Sequence, residues 1–242
     1  MIVLPIYLQM VLGYNALQAG LSIAPLSLSM FAVALLVGKR VGRRRPATRI
    51  LWGFALLIAG LIILIPLVPR ADSGWWLLVP LIISGCGLGL LVSQLNNYTL
   101  SPVSDERVSE AAGVNSAAGS FGLSFGLAFA GAIMLASLSL IFTTLAMSST
   151  VLPAAEQAQV AQVLEDDAEI MTNNALEELL VGQPAEVQAE IIRINTDARP
   201  LALQIALLIP ILAGAIGLLN GFRMRRLPDP QPNAAAEGTL LG

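Results

Sequence analysis

ILWGFALLIAGLIILIPLV, residues 50–68, carries no charge and no polar side chain except the indole of Trp52. About 20 apolar residues in a helix span roughly 30 Å of hydrocarbon. In lipid a backbone satisfies its own polar groups only as a helix or a closed barrel. Bounded by Arg49 and Arg70, the stretch reads as a membrane crossing. The rest of the chain repeats the pattern: residues 1–38, 73–104, 111–155 and 200–222 also carry no charge. No soluble fold explains five such runs.

Composition agrees. Of 242 residues, 56% are hydrophobic and 12% charged, the net charge is −3 and the mean hydropathy is +0.76. A soluble domain has about a quarter charged residues. Disordered and nucleic-acid-binding proteins are excluded by this balance. Cys86 is the only cysteine, which excludes a disulfide scaffold, and the chain has no histidine, which excludes a histidine-based catalytic or metal site. Neither cofactor nor metal is expected.

The runs predict an all-α membrane protein with six transmembrane helices, at about 1–12, 20–38, 50–68, 75–98, 115–138 and 200–222. The first segment is short for a crossing and has no basic leader region, so the chain is expected to begin inside a helix with something upstream missing. The run 111–155 could hold two crossings. No proline or turn cluster divides it between Gly119 and Met147, which favours one. Charge placement favours the same count. Lys39, Arg40, Arg43, Arg44, Arg45 and Arg49 form one basic loop, and Arg223, Arg225 and Arg226 follow the last run. An even number of crossings between them puts both clusters on the cytoplasmic side, as the positive-inside rule asks. Trp52, Trp75 and Trp76 then fall at interfaces. Residues 223–242 are expected to be a disordered cytoplasmic tail.

Residues 148–199 differ in kind. Ten carboxylates stand against Arg193 and Arg199, a net of −8. Val160, Val163, Leu164, Ile170 and Met171 recur at near-helical spacing, as do Val187, Ile191 and Ile194 after Pro184. Two amphipathic helices on the outer face are expected. They form either a solvated cap or an anionic vestibule that concentrates cationic solutes.

No Asp, Glu, Lys, Arg or His lies inside the six predicted crossings, which argues against a membrane-embedded enzyme and leaves no evident proton-coupling carboxylate. Uncharged polar residues remain. Tyr7, Gln9, Ser29, Gln94, Asn97, Ser116, Ser120 and Ser124 are the candidates to line a solute path. The last three share a helix face at four-residue spacing. Such serines either line a cavity or bond back to their own helix. Gly119, Gly122 and Gly126 lie on roughly the opposite face and suit close helix packing. Gly85, Gly87 and Gly89 lie mid-membrane without a preceding strand or a following Lys-Ser/Thr, so they read as a packing device and not a phosphate loop.

Three stretches together resemble the major facilitator superfamily, and within it the fourteen-helix drug:proton antiporter subgroup. LPIYLQMVLGYNALQAGLSIAPLSLSM (residues 4–30) looks like the helix-loop-helix that opens the second half of those transporters. AGVNSAAGSFGLSFGLAFAGAI (residues 112–133) looks like their penultimate helix. GKRVGRRR (residues 38–45) looks like their inner loop and keeps Arg40, Gly42, Arg43 and Arg44, although Lys39 stands where the family has aspartate. The resemblance covers the C-terminal six-helix half of such a transporter. It implies a multi-pass protein of the cell (plasma) membrane, in contact with lipid, that exports amphipathic or cationic small molecules by alternating access and proton antiport. Coupling to protons would come through the missing N-terminal half. The alternative is a truncated or accessory membrane protein with no transport activity of its own.

Overall fold

The computed structural model describes residues 3–38, 45–71, 73–100, 103–166 and 173–226. Their regular structure is helical throughout: α1 (Val3–Val11), α2 (Ala16–Gly38), α3 (Pro46–Leu67), α4 (Leu78–Leu100), α5 (Val108–Met147), α6 (Gln157–Asp166), α7 (Asn173–Leu179) and α8 (Ala185–Met224). Short 3₁₀ turns follow α3 and precede α4 and α5. Five helical stretches, built on α2, α3, α4, α5 and α8, are long and apolar enough to cross a membrane. The nine residues of α1 reach only about 14 Å and are not. The tail from residue 227 on lies outside the described residues.

Three boundaries differ from the sequence expectation, each for a local reason. The expected helix over 20–38 begins earlier, at Ala16. Asn15 Oδ1 accepts the Gln18 backbone N–H at 2.8 Å, and Gln18 Oε1 accepts the Asn15 N–H at 3.0 Å. This is a capping box, which satisfies two otherwise orphaned donors at once. Gly13, at φ 65°, turns the chain just before it.

The second difference is α5. The expected crossing over 115–138 is part of one continuous 40-residue helix, about 60 Å long. A single helix thus accounts for the uncharged run as far as Met147.

Third, the amphipathic helix expected after Pro184 and the crossing expected over 200–222 are one helix, α8, also 40 residues long. Pro200 and Pro210 lie inside it. Each proline removes one helical hydrogen bond, but packed neighbours let a helix run through such a site. Ala198 and Ala202 beside Pro200 are fully buried. The first amphipathic helix is α6, while Ile170 and Met171 lie outside the described residues.

Contacts divide the chain into two compact units, and the division passes through α2, α3, α4, α5 and α8. One unit is Met1–Ala24, Leu61–Val79 and Leu127–Pro210; the other is Pro25–Gly60, Pro80–Gly126 and Ile211–Gly242.

The first unit has a core of large apolar side chains. Leu138 and Phe142 of α5, Leu164 of α6, Leu176 of α7, and Ile191 and Ile194 of α8 pack together with buried alanines. Polar ties hold the acidic segment to this core. Ser149 Oγ accepts the Val151 and Leu152 N–H groups and donates to Glu190 Oε1 at 2.7 Å. Asn195, fully buried, donates to Asn173 Oδ1 at 2.8 Å, and Asn173 donates to the Thr196 hydroxyl.

The second unit is organised by glycine around α4. A Cβ on Gly87 would lie 2.6 Å from the Leu57 nitrogen and 2.7 Å from the Gly53 carbonyl oxygen of α3. One on Gly85 would meet Ser29 and the Leu26 carbonyl of α2, and one on Gly89 would fall 2.5 Å from the Met30 carbonyl of α2. Alternate glycines thus admit two neighbouring backbones on opposite sides of α4. The order of contacts gives the directions. Gly85 meets Leu26 and Gly89 meets Met30, so α2 and α4 run parallel. Gly53 meets Leu91 and Gly60 meets Ser84, so α3 runs antiparallel to α4. Gly214 meets Ile58 and Gly221 meets Leu51, so α8 is antiparallel to α3 and parallel to α2 and α4.

These contacts separate two sets of glycines. Gly87→Ala overpacks a backbone contact, a cost of about 1–3 kcal/mol, and should lower the thermal unfolding temperature of the purified protein in detergent. Gly122→Ala places its methyl where nothing lies within 4 Å and should be neutral. Equal losses for the two variants would refute this assignment of the packed helix face.

Candidate functional site

The polar candidates fall into three groups. Tyr7 and Gln9 lie in the first unit on α1. Tyr7 is buried, and its hydroxyl donates to the Val68 carbonyl at 3.0 Å. Gln9 Nε2 donates to the Pro5 carbonyl of its own helix at 3.2 Å. Ser29 and Gln94 lie in the second unit. Ser29 Oγ donates to its own Leu26 carbonyl at 3.0 Å while packing against Gly85. Gln94 is buried, donates to the Ser93 carbonyl at 3.1 Å, and lies 3.5 Å from the Arg49 guanidinium. The side chain of Asn97 lies outside the described residues, as do Arg40, Gly42, Arg43 and Arg44.

The third group is on α5. Ser116, Ser120 and Ser124 are exposed. On the other side of the helix, a Cβ added to Gly119, Gly122 or Gly126 would meet nothing within 4 Å. Between them Val114, Phe121, Leu123 and Phe125 are at least 60% exposed. The serine face is exposed and the glycine face has no described residue within reach of an added Cβ. The seam expected of the three glycines is not made with any described residue.

Within each unit, none of the described candidates lines the cavities found there. Two cavities among the described residues are lined by other side chains. One, of about 440 Å³, lies among α6, α7 and the start of α8. The other, of about 470 Å³, lies where α4 passes into α5, with Thr99, Arg107, Glu110 and Asn115 on its walls.

The Tyr7 hydroxyl meets the end of α3, and the residues there carry a signal in the sequence. Pro69 has no N–H, so the Ile65 carbonyl four residues earlier loses its helical donor. Gln204 Nε2 of α8 donates to that carbonyl at 2.7 Å. Arg70 donates to the Pro66 carbonyl at 3.1 Å, and Tyr7 takes the Val68 carbonyl. The Gly74 N–H beyond it donates to the Tyr14 hydroxyl at 3.0 Å. The end of α3 thus receives side chains from α1 and α8, and Pro69 marks where the α8 donor is needed.

The first half of the chain also matches a known family. The family model for the Major Facilitator Superfamily covers residues 1–127. The chain belongs to the major facilitator superfamily. With its five long apolar helices it is a multi-pass integral protein of the cell membrane. Among relatives, multidrug resistance protein Stp of Mycobacterium tuberculosis strain H37Rv is 35% identical over 133 residues, 55% of this chain and 24% of Stp. The uncharacterized transporter YebQ of Escherichia coli K12 is 33% identical over 128 residues, 53% of this chain and 28% of YebQ. The chain thus spans about a quarter of the length of these curated relatives. No solved structure gives a significant match. The superfamily match takes in α1 to α4 and the exposed part of α5, and it stops before the acidic segment and α8.

The hydrogen bonds at the end of α3 give a direct test. Gln204→Leu leaves the Ile65 carbonyl without its side-chain donor, and Tyr7→Phe does the same at Val68. Each should cost about 1–2 kcal/mol, read as a lower melting temperature in detergent. Unchanged melting with altered solute binding would instead return Tyr7 to the solute path.

Proposed function

We propose that this chain supplies one half of a major-facilitator efflux transporter for amphipathic or cationic small molecules, working by alternating access with proton antiport. The observation that carries the reading is the bare stretch of α5. It falls inside the superfamily match, it exposes serines on one face and glycines on the other, and large apolar side chains lie between them. A helix with small residues on one face and hydroxyls on the other suits a position between a second bundle and a solute path. The name of Stp supports drug-like solutes. In this reading Ser116, Ser120 and Ser124 face the path, and Gly119, Gly122 and Gly126 admit a helix from outside this chain.

The apolar runs of residues 50–69, 73–104, 111–155 and 200–222 contain no carboxylate. A group that couples protons must gain and lose one while exposed alternately to each side. We assign that role to residues beyond this chain. The purified chain in liposomes, given a pH gradient and ethidium, should show no gradient-driven dye movement. Accumulation abolished by an uncoupler would overturn the assignment.

The parallel run of α2 and α8 supports placing the basic clusters that follow them on one side, the cytoplasm. Residues 148–199 are then outside. On a Cys86→Ala background, a cysteine at Val181, which is 80% exposed, should react with an impermeant thiol reagent added to intact cells, and a cysteine at Ala235 should not. The reverse pattern would invert the topology.

A further inference from the structure

The cavity of about 440 Å³ in the acidic segment has a layered wall. Leu164, Leu176 and Ile191 form a buried floor, and Val160, Leu180 and Val187 stand half-buried around it. The rim is exposed and holds the Glu156 carboxylate with the amides of Gln159 and Gln183. A volume of this size lies in the range of small-molecule sites, which pair apolar walls with a few polar groups that orient the ligand.

Among the described lining residues the charged side chain is the Glu156 carboxylate, and the segment around it is strongly acidic. Residues 148–199 carry ten carboxylates and two arginines. Neither arginine lines the cavity. Arg193 is held by Glu190 at 2.8 Å and Asp197 at 3.1 Å. Arg199 is buried and donates to Asn195 at 3.1 Å. Glu156, Glu165, Glu177, Glu178 and Glu186 are exposed, and their summed field favours a cation over a neutral or anionic solute of the same shape.

We propose that the groove between α6, α7 and the start of α8 binds an organic cation with a flat apolar body, the body against Leu164, Leu176 and Ile191 and the charge at Glu156. The site lies outside the residues matched by the superfamily and outside every polar position assigned to the membrane path. It binds whether or not the chain transports, so its test is independent of transport.

The test uses the full chain in lipid nanodiscs on a Cys86→Ala background, with ethidium as the probe. Leu179 is on the rim and 67% exposed, so Leu179→Cys should fold and react with a thiol reagent. Saturating ethidium should slow that reaction about tenfold. The anion anilinonaphthalene sulfonate should leave it unchanged at the same concentration. Val181→Cys, exposed but off the cavity wall, should react at the same rate with and without ethidium. Adding Glu156→Gln to Leu179→Cys should raise the ethidium concentration for half-protection about threefold to fivefold, the range of an exposed ion pair. Val163→Cys, also on the rim, repeats the measurement at a second position. Equal protection by cation and anion, equal protection at position 181, or a thiol at both 163 and 179 that does not react without ethidium would each overturn the proposal. The last result would mean that another segment already covers the groove.

Discussion

Every backbone carbonyl inside a membrane protein needs a donor, and lipid supplies none. In this chain the constraint is sharpest at the end of α3, where prolines at 66 and 69 remove two donors within four residues. Gln204 from α8 answers the loss at the Ile65 carbonyl, and Tyr7 from α1 donates to the Val68 carbonyl, which the Ala71 N–H also reaches. A nine-residue helix too short to cross the bilayer thereby gains a fixed place, and the last helix is anchored to the third by its own side chain. Satisfying one helix end organises three helices.

A second constraint shapes the other unit. Lipid tails are as apolar as leucine side chains, so helices associate through close van der Waals approach and not through escape from water. Gly85, Gly87 and Gly89 let α2 and α3 reach the α4 backbone from opposite sides. Ser84, buried against Gly60, has no hydrogen-bond partner for its hydroxyl among the described residues. The two units therefore cohere by different physics: Leu, Ile and Phe packed around the acidic segment, and small residues with backbone contact around α4.

The hydropathy runs made the all-helical membrane class legible, and the unbroken run 111–155 pointed to one helix but not to its start at Val108 or its end at Met147. The Gly85–Gly87–Gly89 pattern was legible too, because no polar partner competed for its meaning. Helix ends were less so. The Asn15–Gln18 capping box was present in the letters, but the glycine at position 20 and the uncharged surroundings hid it. Pro200 suggested a boundary that the packing of Ala198 and Ala202 overrides. The polar candidates were the least legible. An uncharged side chain in an apolar helix has two uses, facing a solute or completing a backbone, and one-dimensional spacing looks the same for both. Tyr7, Gln9 and Ser29 serve the backbone. The α5 serines are exposed, so the described structure assigns them neither use.

The Gln204 bond also sets an order in time. The Ile65 carbonyl and its donor are separated by 139 residues. At a synthesis rate of about 5–20 residues per second, the third helix waits on the order of ten seconds before the side chain that closes it has been made. Until then its end must find donors in water or in the insertion machinery. The nascent bundle is therefore unfinished at one corner until the final crossing enters, and a ribosome that stops before residue 204 releases a chain whose α3 has lost its α8 donor.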